Sequence, residues 1–142
     1  MTRSVLRRVR WLPLFVLVPL LAGCSRAYTL VGDIVFVVAK EAGITEVVGG
    51  AIPKAGKPVA NAIITLFHQL EDGRPVRDSR WIASAAADAS GHFRLQDFAA
   101  PGTANLVGFE VAAPGFETVF TTYVDYAEPD EQYFLVVMQP KH

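Results

Sequence analysis

The sequence predicts an all-β fold, a seven-stranded sandwich, and three features of it predict this class. Short runs of alternating or apolar residues recur along the chain, clusters of Gly, Pro, Asp and Asn separate them, and no long segment has helical period. The strands start about every 12 to 19 residues, looser than the roughly 8 to 12 of many sandwiches, but the density of turn signals still favours a sandwich or barrel.

The elements follow in order. Val47 to Ile52 is a short apolar run closed by Pro53-Lys54-Ala55-Gly56-Lys57-Pro58. Ala60 to His68 alternates, placing Ala62, Ile64 and Leu66 on one face and Ile63, Thr65 and Phe67 on the other. Glu71-Asp72-Gly73-Arg74-Pro75 turns the chain. Ser79 to Ala87 leads into Asp88-Ala89-Ser90-Gly91, with Asp first and Gly fourth, so a hairpin is expected. His92 to Phe98 sets Phe93 and Leu95 against His92, Arg94 and Gln96, the pattern of a half-buried strand. Ala104 to Ala112, Phe116 to Val124 and Gln132 to Met138 complete the seven, with Pro114-Gly115 as a further turn. Thr29 to Lys40 is ambiguous: its β-branched run reads as a strand, whereas Asp33 could cap a short helix ended by Gly43. The strand is the preferred reading.

The N-terminus has a different character. Arg3, Arg7, Arg8 and Arg10 precede an uncharged run from Trp11 to Ala22 that is about half the length a membrane span needs and contains Pro13 and Pro19. This is the pattern of an export signal. Leu21-Ala22-Gly23-Cys24 resembles the bacterial lipobox, which implies cleavage before Cys24 and lipid on its sulfur. One acyl chain anchors marginally and two or more anchor stably, at about 0.8 kcal/mol per buried methylene. Ser25, where aspartate would resemble an inner-membrane retention signal, points to the periplasmic face of the outer membrane if the cell is Gram-negative. The expected organisation is a signal peptide over 1–23, a lipidated N-terminus and lead-in over 24–46, and a β-sandwich domain over 47–140.

Cleavage leaves 119 residues, the size of one domain, with nine basic and 14 acidic side chains for a formal charge of −5. No Lys/Arg cluster is present, so a nucleic-acid partner is not expected. The lone Cys24 leaves no intrachain disulfide, and stability must come from a packed core.

Three stretches, "VGGAIPKAGKPVANAIITLF" (Val48 to Phe67), "AAADASGHFRL" (Ala85 to Leu95) and "FEVAAPGFET" (Phe109 to Thr118), resemble the carboxypeptidase-regulatory-like, or transthyretin-like, domain. The resemblance implies a seven-stranded antiparallel Greek-key β-sandwich of prealbumin type over about Val47 to Pro140. Ala87 before Asp88 and Ala51 between Gly50 and Ile52 depart from the family pattern without removing its turn or core residues. The family's module is non-catalytic, since peptidase chemistry belongs to a neighbouring zinc domain.

The site candidates are sparse. His68, His92 and His142 have no metal-ligand spacing, so no metal or cofactor is expected. Iron dioxygenases with a similar sandwich use paired Tyr and His ligands; Tyr123, Tyr126 and Tyr133 cluster near the C-terminus, but no histidine pair lies beside them. Hydroxyisourate hydrolases end in Tyr-Arg-Gly-Ser, unlike Met138 to His142. Ser84, Ser90 and Thr103 lack a nucleophile motif, and Asp125, Glu128, Asp130 and Glu131 lack calcium-loop spacing. Phe67, Trp81, Tyr123 and Tyr126 could form an aromatic platform. The expected function is a non-enzymatic envelope lipoprotein, held to the membrane through Cys24, whose sandwich is structural or binds an envelope protein partner. The alternative is glycan or small-ligand binding through the exposed aromatics.

Overall fold

A computed structural model describes residues 26–48, 56–99, 105–125 and 131–142. The signal segment, Cys24, Thr103, Tyr126, Glu128 and Asp130 lie outside them. Eleven strands form among the described residues and no helix: β1 (Arg26–Phe36), β2 (Gly43–Glu46), β3 (Lys57–Pro58), β4 (Ile63–Phe67), β5 (Leu70–Glu71), β6 (Arg74–Pro75), β7 (Ile82–Ala86), β8 (His92–Ala99), β9 (Asn105–Ala112), β10 (Val119–Asp125) and β11 (Glu131–Met138). Seven of these have five or more residues. The first sheet runs β2-β11-β1-β3, with β8 also on β1, and the second runs β10-β9-β4-β7. The all-β sandwich expected from the sequence is the fold observed.

Two expectations change. A seventh long strand among the described residues is β1; of the expected strand Val47 to Ile52, residues 49–52 lie outside the described residues, and the Val47 N–H donates to the Tyr133 carbonyl at 2.8 Å. Thr29 to Phe36 is strand, Asp33 caps no helix, and the chain leaves the sheet before Ala39, whose φ of 69° is left-handed. β1 sits inside the first sheet with β11 on one side and β8 and β3 on the other, so residues 26–36 are part of the sandwich. The second change is direction: β1 and β11 pair in parallel from Thr29↔Glu131 to Phe36↔Met138, whereas the sequence reading was antiparallel throughout.

The alternation expected of the central strands holds. Phe93 and Leu95 are buried between the sheets while His92, Arg94 and Gln96 are exposed, and Ala62, Ile64 and Leu66 are wholly buried. Phe109 meets Phe93, Phe134 and Tyr123 edge-on, with centroids 5.1 to 6.3 Å apart, at the centre of the core. Aromatic contacts of this geometry add about 0.5–1.5 kcal/mol each beyond burial. The near-continuous apolar runs of β1 and β11 have a separate cause. Val35, Leu135 and Val137 form a second cluster on the outer face of the first sheet, with Val37 and Val47 against it, so both faces are covered there.

The turns are those the sequence marks. Asp72 and Gly73, between β5 and β6, both have positive φ, the requirement of a two-residue type I′ hairpin. Gly115 has φ 83° behind Pro114, and Phe116 N–H donates to Ala113 carbonyl at 3.1 Å across that turn. Gly91, at φ 75°, closes the turn begun by Asp88.

Candidate functional site

Register places one end of the sandwich. Arg26 opposes Ala99, so β1 begins where β8 finishes. In the second sheet Phe67 opposes Gly108, so β4 finishes beside the start of β9, and Asn105 opposes Asp125 at the finish of β10. His68, just past β4, joins the two sheet ends through its contact with Asp97 of β8.

At this end polar side chains occupy the inward phase of otherwise apolar strands. Tyr28 precedes Leu30 on β1, Asp97 follows Phe93 and Leu95 on β8, and Gln132 precedes Phe134 and Val136 on β11. Tyr28 is fully buried and its hydroxyl donates to Asp97 Oδ2 at 3.1 Å. His68 Nε2 bonds the same oxygen. An ionised carboxylate only accepts, so with Asp97 in that state Nε2 is the donor of the bond. The His68 and Asp97 side chains keep 22% and 13% of their exposure, so the imidazole is in contact with solvent. Gln132 is buried, and its side-chain oxygen has no hydrogen-bond partner among the described residues. Tyr28, His68, Asp97 and Tyr123 make further interactions besides those named.

A second set of the same three residue types stands on the outer face of the first sheet. Asp33 of β1 accepts a hydrogen bond from the Tyr133 hydroxyl of β11 and lies 3.4 Å from His92 Nδ1 of β8. Partial burial raises the Tyr133 phenol above its ordinary range, and the Asp33 hydrogen bond and charge raise it further.

The sequence candidates are distributed as follows. His68 and His92 do not meet; each takes a different carboxylate, one in the interlayer and one on the outer face. Two Tyr–His pairs exist, but they are separated by the sheet, so a two-tyrosine, two-histidine donor set is not assembled among the described residues. Nor do three His, Cys, Asp or Glu side chains converge there as metal ligands. Ser84 Oγ donates to Ile64 carbonyl, and the Ser90 N–H donates to Asp88. Asp125 ends β10 in the second sheet and Glu131 begins β11 in the first.

The aromatic platform of Phe67, Trp81, Tyr123 and Tyr126 is corrected. Phe67 is 2% exposed because the 69–80 arm folds over the outer face of the second sheet, with the Arg77 guanidinium 5.3 Å from its ring centroid. Arg77 is held there by a bidentate pair with Glu110, at 2.6 and 3.2 Å, which also raises its pKa. Tyr123 packs inside against Phe109 and Phe134. Of the four, only Trp81 is exposed among the described residues.

Comparison with known proteins gives a fold and no family. No family model matches the chain, and no curated protein does. Among solved structures, 3-chlorocatechol 1,2-dioxygenase from Rhodococcus opacus 1CP is similar, with a TM-score of 0.51 and 10% identity, over 82% of this chain and 60% of that one. Hydroxyquinol 1,2-dioxygenase from Pseudomonas putida DLL-E4 is similar too, with a TM-score of 0.50 and 12% identity, over 81% of this chain and 57% of that one. The chain thus spans about three fifths of the length of each. At such identities the likeness is one of fold. It nonetheless corrects the expectation of a non-enzymatic module, structural, partner-binding or glycan-binding, because that expectation rested on a non-catalytic family and the fold neighbours found are enzymes.

Proposed function

We propose that this chain is a lipid-anchored envelope enzyme of acid–base type, whose reacting group is His68 and whose substrate is a small hydroxylated aromatic ring. The observation that carries the reading is the meeting of His68 from one sheet with Asp97 and Tyr28 from the other, at a part-buried sheet end. Asp97 fixes the ring orientation and tautomer of His68 and stabilises the imidazolium formed when the ring takes up a proton. Tyr28, buried and bonded to the same oxygen, holds Asp97 in place. A substrate hydroxyl next to His68 gives up its proton to the imidazole, leaving a phenolate and an imidazolium paired with Asp97. Positioned proton transfer of this kind contributes about 10² to 10⁴-fold in rate. The substrate class is drawn from the fold neighbours, whose names give 3-chlorocatechol and hydroxyquinol as what they act on. The anchor is supported by the Leu21 to Cys24 motif behind its basic and apolar segments.

The step is a reversible proton transfer, so the test is the phenolate absorbance of catechol, 3-chlorocatechol and hydroxyquinol bound at neutral pH to the purified chain and to His68→Gln. Glutamine still donates to Asp97 but cannot take the proton, so we expect binding within a few-fold of the parent and loss of the phenolate band. Equal phenolate in the two proteins, or no binding of any of the three rings by the parent, would sink the proposal.

A further inference from the structure

We propose that the end of the sandwich bearing Tyr28, Asp97 and His68 is seated on the lipid bilayer, with Trp81 in its interfacial layer, so that the site faces the membrane and not the aqueous space. The inference rests on the lipid anchor proposed above and adds an orientation to it.

Three observations carry it. First, β1 begins at Arg26, two residues beyond Cys24. Two residues reach at most about 7 Å, close to the thickness of one headgroup layer. A lipid on Cys24 therefore fixes the β1-start end at the bilayer surface, because Arg26 to Thr29 are committed to pairing with β8. Second, exposed apolar side chains stand at this same end. The Trp81 carbonyl accepts from the His68 N–H at 3.0 Å, and its side chain is 67% exposed, while Leu106, at the start of β9, is 55% exposed. Tryptophan is the side chain most at home at the boundary between headgroups and hydrocarbon. Third, His68 lies at this end as well, so seating it brings the site to the lipid surface. One feature opposes the arrangement. Glu131, exposed and opposite Thr29 at this end, repels anionic headgroups, so neutral lipid is the partner that fits best.

The chain has two tryptophans, and cleavage before Cys24 removes Trp11, so Trp81 is the only indole of the mature protein. Its fluorescence reports on this end alone. The experiment uses the mature lipidated protein, its Cys24 adduct verified by mass, in phosphatidylcholine vesicles carrying brominated acyl chains. Trp81 emission is expected to shift to the blue and to be quenched more by bromines near the headgroup end of the chain than by deep ones. A Gly-Ser insertion of about eight residues between Ser25 and Arg26 releases the domain and should return emission to that of solvated indole. Acylated, vesicle-bound protein with unshifted, unquenched emission would overturn the seating and leave the anchor standing. An unmodified Cys24 would remove the anchor and the seating together, and quenching that survives the insertion would overturn the short tether as its cause.

Discussion

Alanine at Gly91 should cost far more than alanine at Gly115, although both glycines have left-handed backbone, at φ 75° and 83°. The conformational cost of placing Ala at such a φ is similar at the two sites, about 1–2 kcal/mol. The space around them differs. At Gly115 an added Cβ meets nothing within 4 Å, whereas at Gly91 it would lie 2.4 Å from the Ile34 carbonyl oxygen and 3.2 Å from the Val59 nitrogen. Those atoms cannot retreat freely, because Ile34 N–H donates to Gly91 carbonyl at 2.8 Å and Val59 N–H donates to Ile34 carbonyl at 2.9 Å. Relieving the clash therefore shifts the hairpin and strains both bonds, adding about 1–3 kcal/mol as overpacking does. The expected total is about 2–5 kcal/mol for Gly91→Ala and about 1–2 kcal/mol for Gly115→Ala. Urea melts of the chain without residues 1–25 measure both, and with a slope of about 1–3 kcal/mol per molar the midpoints should separate clearly. Equal midpoints would refute the claim that Gly91 is fixed by close approach as well as by φ.

Two further outcomes are open to the same measurement. Asp88→Ala removes the side-chain oxygen that accepts from Ser90 N–H at 2.8 Å and His92 N–H at 3.0 Å, and should cost about 1–2 kcal/mol, whereas Ser90→Ala should cost a few tenths; reversed magnitudes would refute the turn. The Tyr133 phenol, raised first by burial and then by Asp33, should stay protonated when exposed tyrosines ionise near pH 10, as read from phenolate absorbance. Because its folded pKa lies above the unfolded value of 10.0, its contribution is complete below pH 10 and declines as pH rises beyond it. Tyr133→Phe should flatten that alkaline decline, and an unchanged slope would sink the assignment.

Much of the fold was legible because period-2 alternation and turn chemistry are local. Phe93 and Leu95 could be placed inside from their spacing alone, and Asp88 to Gly91 from its turn residues. β1 was harder to place because its covering is not local. Its Val-rich run faces a second cluster formed with β11 and Val47, and a segment buried on both faces shows no alternation to distinguish strand from helix. The polar site has a readable signal in the sequence. Asp97 continues the inward phase of Phe93 and Leu95, as Gln132 does that of Phe134 and Val136, and a polar residue on a core phase is the informative exception. That Asp97 would meet His68, in the other sheet, depends on how the two layers stack. The exposure expected of Phe67 failed for a similar reason: an arm fixed by Arg77 and Glu110 covers it, and the two lie 33 positions apart in the sequence.

The parallel ladder between β1 and β11 also governs when the fold can form. Thr29 and Glu131 are partners about a hundred residues apart, so the first sheet lacks one of its inner strands until nearly the whole chain is available. Contacts of such long range form slowly, because the loop they close must be ordered before they return any free energy. For the exported chain proposed above this delay is useful: a polypeptide threaded through a translocation channel must remain unfolded, and the wait of β1 for β11 favours that state. Truncation just before Glu131 should accordingly leave β1 without its parallel neighbour and yield an incomplete sheet open to pairing with other chains.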